Sequence, residues 1–272
     1  MKIKDLVKCL ETLAPLKLAE SWDNVGLLLE PTFNSDIKKV LTTIDLTEPV
    51  VDEAINKGCN FVLSYHPPLF QSFKRLLQSN AKDRIVMKCV QNNISIYSPH
   101  TCWDSMENGV NDWIGSCFDC KDSRAINQHD ASSEIVGMGR VLQLSSSIPL
   151  DSVYTLLRNH LGVEHLRVAH AVADRWTLRN NQPYEKINTI AICAGSGGSL
   201  LRGVDADLYI TGEMSHHEVL AVVAEGRSVI LSEHTHTERG FLKHVVKDLS
   251  KSTSCDLEFL VSEADCCPLN YV

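Results

Sequence analysis

The strongest constraint on this chain is the repeated alternation of short apolar runs with amphipathic helical stretches. Val40 to Ile44, Phe61 to Tyr65 and Ile94 to Tyr97 are runs of the length and composition that fill a buried strand. Residues 3–13 carry Ile3, Leu6, Val7, Leu10 and Leu13 on one side of a helix. Thr47 is placed to cap a second helix with Pro49 in its first turn and Gly58 at its end, and another helix runs through Cys89 to Gln91. The pattern resumes with strands at Ile135–Leu144, Leu166–Val172, Ile190–Ala194, Leu208–Thr211 and Val229–Ser232, and a helix near Asp151–Leu161. Asn180 to Pro183 reads as a loop, and the polar stretch at 119–133 is the best connector candidate. Such alternation predicts an α/β fold with parallel or mixed sheets covered by helices.

The 272 residues correspond to one or two domains, enough to bury a core. Hydrophobic residues at 44% exclude disorder over most of the length. No run approaches the roughly eighteen apolar residues of a membrane span. The start, Met1 to Leu6, lacks the features of a signal peptide, so a cytoplasmic location is expected, with a nuclear one open. A net charge of −8 disfavours direct nucleic-acid binding, which needs clustered Lys and Arg. The ten cysteines read as reduced thiols, since the Cys117/Cys120 pair has no second CxxC to complete a zinc site.

Polar residues of chemical interest share one placement, just past the strands. His66 follows Phe61–Tyr65, and His100 with Asp104 follow Ile94–Tyr97. Gly195–Gly198 follows Ile190–Ala194; Glu213, His216 and His217 follow Leu208–Thr211; His234, His236 and Glu238 follow Val229–Ser232. Ligands of open α/β sheets bind outside the carboxyl ends of strands, and these five ends converge if their strands are parallel neighbours. His234 and Glu238 are four apart, on the face continued by Phe241, Leu242, Val245, Val246 and Leu249. A divalent metal would satisfy such an inward pair, and a His–Glu hydrogen bond at a helix start accounts for it equally well. Asp104 also suits the N-cap of the helix holding Val110 and Trp113. Together His66, Asp104, His234 and Glu238 form a mixed N/O set suited to Zn, Mn or Fe with open positions. The glycine loop fits a tight strand–helix turn better than a phosphate cradle, being neither Walker A nor GxGxxG. Asp23 and Asn24 suit the backbone of a turn, and neighbouring Trp22 leaves a substrate-loop role open.

Several segments carry a family resemblance. They are Glu20 to Leu27, Ser64-Tyr65-His66-Pro67-Pro68, His100-Thr101-Cys102-Trp103-Asp104, Gly195 to Gly198, Thr211 to His217, and Glu233 to Arg239. In this order they closely resemble the Nif-three-like (Ngg-one-interacting-factor-three-like) family, in its compact eukaryotic form without the large central insertion of some bacterial members. The resemblance implies two intertwined α/β domains with mixed sheets, here about 1–125 plus 230–272 and 126–229. It implies a ring-shaped hexamer built from dimers, and a di-metal site whose matching positions are His66, Asp104, His234 and Glu238. Many bacterial members have two adjacent histidines where this chain has Tyr65-His66, so one firm metal is expected and a second, weaker one is left open. His236 lies two residues from His234, and a helix would point it elsewhere.

The expected function is a metal-dependent hydrolase of a nucleotide or another small phosphorylated or cyclic substrate, some relatives carrying a GTP cyclohydrolase-type label. Glu238 or Asp104 would bridge metals or orient water; His217 or His100 would orient a ligand or act as acid. The rival expectation is a non-catalytic interaction protein in transcription regulation with a structural or sensed metal.

Overall fold

In a computed structural model, which describes residues 1–129, 133–171, 186–253 and 257–269, the apolar runs form strands and the amphipathic stretches helices. First come α1 (Ile3–Leu13), β1 (Gly26–Leu29), β2 (Lys39–Thr43), α2 (Glu48–Asn56), β3 (Phe61–Ser64), α3 (Ala81–Gln91), β4 (Ser95–Ser98) and the short α4 (Thr101–Ser105). Next are α5 (Val110–Gly115), β5 (Cys120–Arg124), β6 (Asn127–Gln128), β7 (Gly137–Met138), β8 (Arg140–Ile148), α6 (Leu150–Leu161), β9 (Arg167–Ala169), β10 (Ile187–Ser196) and α7 (Gly198–Leu201). Then follow β11 (Leu208–Glu213), α8 (His216–Ala224), β12 (Ser228–Leu231), α9 (His236–Ser252) and β13 (Glu258–Val261). The chain divides into two units, Met1–Trp103 with Phe241–Val272, and Asp104–Gly240.

The first unit holds a five-stranded mixed sheet in the order β1-β4-β3-β2-β13. Neighbours from β13 to β4 are parallel, and β1 runs antiparallel to β4. Phe61 to Ser64 are all buried, as expected of a parallel strand covered on both faces. Val50, Val51 and Ala54 of α2 and Ile85 and Cys89 of α3 pack with Leu41, Val62 and Ile96 of the sheet. Each fully buried aliphatic side chain of this kind contributes roughly 1.5–3 kcal/mol. Thr47 stands at the N-cap of α2, but its hydroxyl makes no capping bond.

The second unit holds a six-stranded mixed sheet in the order β5-β8-β10-β11-β12-β9. Its parallel heart is β10-β11-β12, flanked by antiparallel β8 and β9. Ala191, Tyr209 and Val229 pack here with Leu201 of α7 and Val222 of α8. The five chemically interesting strand ends therefore fall in two sheets, β3 and β4 in one and β10, β11 and β12 in the other. Within each group the strands are parallel neighbours.

Two local readings change. The polar stretch at 119–133 contains β5, an edge strand paired with β8; an edge strand facing water looks like a connector by composition alone. Gly109, not Asp104, is the N-cap of α5. Val172 and the loop at Asn180–Pro183 lie outside the described residues. Among the described residues the cysteines are free thiols, and burial pushes Cys89 up to about 12. No helix among them is long and apolar enough to cross a membrane.

One charged group sits in the middle of the second unit. Arg140 has no exposed surface. Its Nε and Nη2 donate to the two carboxylate oxygens of Asp112 at 2.6 and 2.8 Å. Nη1 donates to the carbonyls of Gly137 and Gly139, and Nη2 to that of Met106. The guanidinium thus ties α5 to the turn entering β8 and to the segment after α4. Removing the acid leaves a buried cation uncompensated. Asp112→Ala is expected to lose about 3–5 kcal/mol, read as a lower urea midpoint, whereas Asp122→Ala on exposed β5 should shift it little.

Candidate metal centre

In the first unit the end of β3 sets His66. Its backbone N donates to Ile44 O at 3.0 Å, and Ser64 Oγ donates to its carbonyl at 2.7 Å. Pro67 and Pro68 then fix the exit of the chain. The imidazole Nδ1 lies 2.9 Å from Asp45 Oδ1. His100, at the end of β4, repeats the arrangement, with Nδ1 2.8 Å from Asp23 Oδ1. Its backbone is in the left-handed region (φ 31°), a conformation that needs support from its surroundings. Burial works against ionisation of Asp23, but bonds from His100 and Thr101 prevail and hold its carboxyl below the usual range. The Asp23 carboxylate thereby fastens the Trp22 turn to the start of α4. His66 and His100 rings meet edge to face with centroids 5.3 Å apart. Tyr65 is buried among His66, His100 and Trp103, so this position offers a phenol ring to the cluster instead of a second imidazole.

In the second unit His234 follows β12, preceded by Glu233 in the left-handed region (φ 68°). Glu238 stands in the first turn of α9 and is almost fully buried. His234 Nδ1 is 2.9 Å from Oε1 of Glu213, at the end of β11, and Nε2 is 3.3 Å from Oε1 of Glu238. Gly195 N donates to Thr237 Oγ1 at 2.8 Å, and Thr237 Oγ1 donates to His234 O at 2.6 Å. These bonds fix the turn after β10 against the start of α9. Asp104 is in the last turn of α4. Its carbonyl accepts from Asn111 Nδ2 at 2.9 Å, and Asn111 Oδ1 accepts from Ala194 N at 2.8 Å. Burial, then the charges of Asp104 and Glu238, push the Cys193 thiol up, so it stays neutral.

The remaining candidates are placed differently. His216 and His217 are both exposed at the start of α8, and His217 lines a cavity of about 210 Å³ with Gly198, Arg202 and Glu218. A Cβ on Gly198 would lie 2.5 Å from Glu218 Oε2. A carboxylate that close disfavours phosphate on the glycine loop, which is a tight strand–helix turn. His236 Nδ1 is 2.9 Å from Ser232 O, so its ring serves the backbone. The first unit therefore contains His66 and His100; the second contains Asp104, His217, His234 and Glu238. Asp45, Asn111 and Thr237 were not singled out from sequence. Asp45 had a readable signal, a carboxylate just past a strand run like the others, whereas Asn111 and Thr237 act through backbone contacts that leave no pattern.

The donor chemistry fits a cation. A carboxylate at Nδ1 favours the tautomer protonated there and leaves the Nε2 lone pair outward. For His234 that lone pair faces a carboxylate oxygen, and two acceptors at 3.3 Å repel unless a proton or metal ion lies at them. Gly195 keeps that space clear: its φ is 63°, and a Cβ there would come within 2.9 Å of both His234 Nε2 and Glu238 Oε1. Gly58 shares the backbone conformation (φ 69°) with nothing within 4 Å of its Cβ position. Gly58→Ala is expected to cost about 1 kcal/mol from backbone strain alone. Gly195→Ala should lower the unfolding midpoint by clearly more, the excess measuring the crowding of the His234–Glu238 pair.

Comparison with known proteins agrees with the fold. The family model described as Duf34/NIF3 (NGG1p interacting factor 3) matches residues 1–268. A NIF3-like protein 1 of Drosophila melanogaster is 42% identical across 98% of this chain and 88% of its own length. The NGG1-interacting factor 3 of Saccharomyces cerevisiae is 36% identical across 98% of this chain and 96% of its own. The crystal structure of a Staphylococcus aureus hypothetical protein has a TM-score of 0.83 at 26% identity, covering 100% of this chain and 99% of that one. On the match across nearly its whole length, this chain belongs to the Duf34/NIF3 family.

Proposed function

We propose that this protein is a metal-dependent hydrolase holding a divalent ion on His66, Asp104, His234 and Glu238. The observation that carries the reading is the His234 Nε2 lone pair set against the Glu238 carboxylate, in a space that Gly195 leaves clear. His66, His234 and Glu238 each offer one ligand atom of a type that zinc, iron or manganese accepts. Such an ion supplies a Lewis acid and lowers the pKa of a bound water toward about 7.

The protein's own groups do the rest. Asp45 and Glu213 hold the two imidazoles by Nδ1 and fix which nitrogen points outward. Glu238 and Asp104 are the carboxylates to orient the attacking water and take its proton. His100 and His217 are candidates to orient ligands or protonate the leaving group. Tyr65 beside His66 supports one firm metal, with a second and weaker one open. The substrate class is a nucleotide or another small phosphorylated or cyclic molecule. Assembly into a ring-shaped hexamer of dimers is carried over from the family resemblance, and a cytoplasmic or nuclear location belongs to the same reading.

Titration of metal-free protein with Co²⁺, Zn²⁺, Mn²⁺ and Fe²⁺ is expected to give one tight equivalent. His234→Ala and Glu238→Gln should each weaken it by more than the roughly 10–100-fold typical of residues that only orient a ligand. Loaded protein should turn over a member of a nucleotide and phosphoester panel, and Glu238→Gln should not. Equal turnover by both proteins would remove the hydrolase assignment.

A second reading is an interaction protein in transcription, its metal structural or sensed. It is favoured by the name of the yeast relative, NGG1-interacting factor 3, and by exposed Phe70, Phe73, Leu76 and Leu77 in the first unit. Under it, loaded protein stays inert on the whole panel, while Phe70→Ser/Phe73→Ser weakens binding to a transcriptional adaptor.

A further inference from the structure

We propose that Asp265 is a positioning residue for His66, and that the segment after β13 is a brace acting on the imidazole through Ile44 and Asp45. This rests on the reading of His66 as a metal ligand. The contacts are continuous from α2 to the ring. Ser262 N donates to Thr42 O at 2.8 Å and Ser262 Oγ donates to Glu53 Oε2 at 2.5 Å. Glu263 N and Ala264 N donate to the same carboxylate at 2.9 and 3.1 Å. The turn at 262–264 therefore wraps Glu53 of α2. Burial opposes ionisation of Glu53, but bonds from Lys57, Ser262 and the two backbone amides bring it down to about 2. The anchor is an anion throughout the physiological range.

The wrapped turn aims Asp265. Its N donates to Ser262 Oγ at 3.1 Å, and its Oδ2 accepts from Ile44 N at 2.7 Å in a buried bond. The β13–β2 register reaches Val261 and Thr42, so Asp265 takes up a backbone donor two residues beyond the last paired position of β2. Ile44 is the pivot. Its carbonyl accepts from His66 N at 3.0 Å, and the next residue, Asp45, holds His66 Nδ1. Thr43 Oγ1 donates to Asp45 O at 3.0 Å and steadies the same loop. A bond to a charged acceptor is about twice as strong as a neutral one, which suits a single point fixing a loop. The segment also borders the site: Cys266 and Pro268 line a cavity of about 630 Å³ together with Asp45, His66 and Lys82.

The test uses the full chain, Co²⁺ alone as probe, and the imidazole ¹⁵N spectrum of metal-free protein. Asp265→Ala is expected to weaken Co²⁺ binding about 10–100-fold and to replace the single Nδ1–H tautomer of His66 by a mixture. Asp265→Asn keeps a side-chain carbonyl for Ile44 N and should recover most of the loss. If Asp265→Ala does not fold, Ser262→Ala, which removes the hydroxyl that accepts from Asp265 N, should give a smaller change in the same direction. Combined with Asp45→Asn, Asp265→Ala should add little, because both act on one ring. A lowered melting temperature with unchanged Co²⁺ affinity and tautomer, or full additivity with Asp45→Asn, overturns the proposal. Wild-type protein that binds no Co²⁺, with a His66 tautomer still dependent on Asp265, overturns the metal reading and leaves the brace standing.

Discussion

An imidazole can present only one nitrogen in a defined direction if its other nitrogen is held. Three histidines here are held in the same way, each with Nδ1 on a carboxylate: His66 on Asp45, His100 on Asp23 and His234 on Glu213. In each case ring and acid come from different strand ends or turns, so the pair also fastens two loops together. The order of the strands decides which pairs are available. Parallel β2 and β3 bring Asp45 beside His66, and parallel β11 and β12 bring Glu213 beside His234. A sheet slipped by one residue would turn these side chains to the other face and lose both pairs.

The loops that carry these rings are also tied down by side chains that bond the backbone. Asn111 links the carbonyl of Asp104 to Ala194, and Thr237 links Gly195 to the carbonyl of His234. Glu233 and His100 hold left-handed backbone next to or within the ring-bearing turns. Such conformations persist only where the surroundings over-determine them, and here hydrogen bonds and buried neighbours do so.

The strand and helix pattern was legible in the sequence because buried parallel strands read as continuous apolar runs. Phe61–Ser64 and Ser228–Leu231 are examples, buried along their whole length. Edge strands were not legible in the same way. Cys120–Arg124 is mostly exposed and polar, and pairing with β8 rather than composition makes it a strand. Placement past a strand pointed to His66, His100, His234 and Glu238 as residues of interest. It did not reveal which carboxylate would hold which ring, because that depends on strand order. Asp265 was least legible: its contact with Ile44 spans 221 residues and exists only because β13 returns beside β2.

Charge gives the arrangement its direction. His234 is flanked by Glu213 on one nitrogen and Glu238 on the other, and Glu238 is almost wholly buried. A carboxylate in that setting is stable only if positive charge or several donors face it. One imidazole can supply that charge as imidazolium, but it then donates from both nitrogens and has no lone pair for a ligand. As a neutral ring it keeps the lone pair. The two states are exclusive at this atom pair, so a proton and a bound cation would compete for one position. A metal ion held on this lone pair would therefore be displaced as the pH is lowered, because its ligand must be deprotonated.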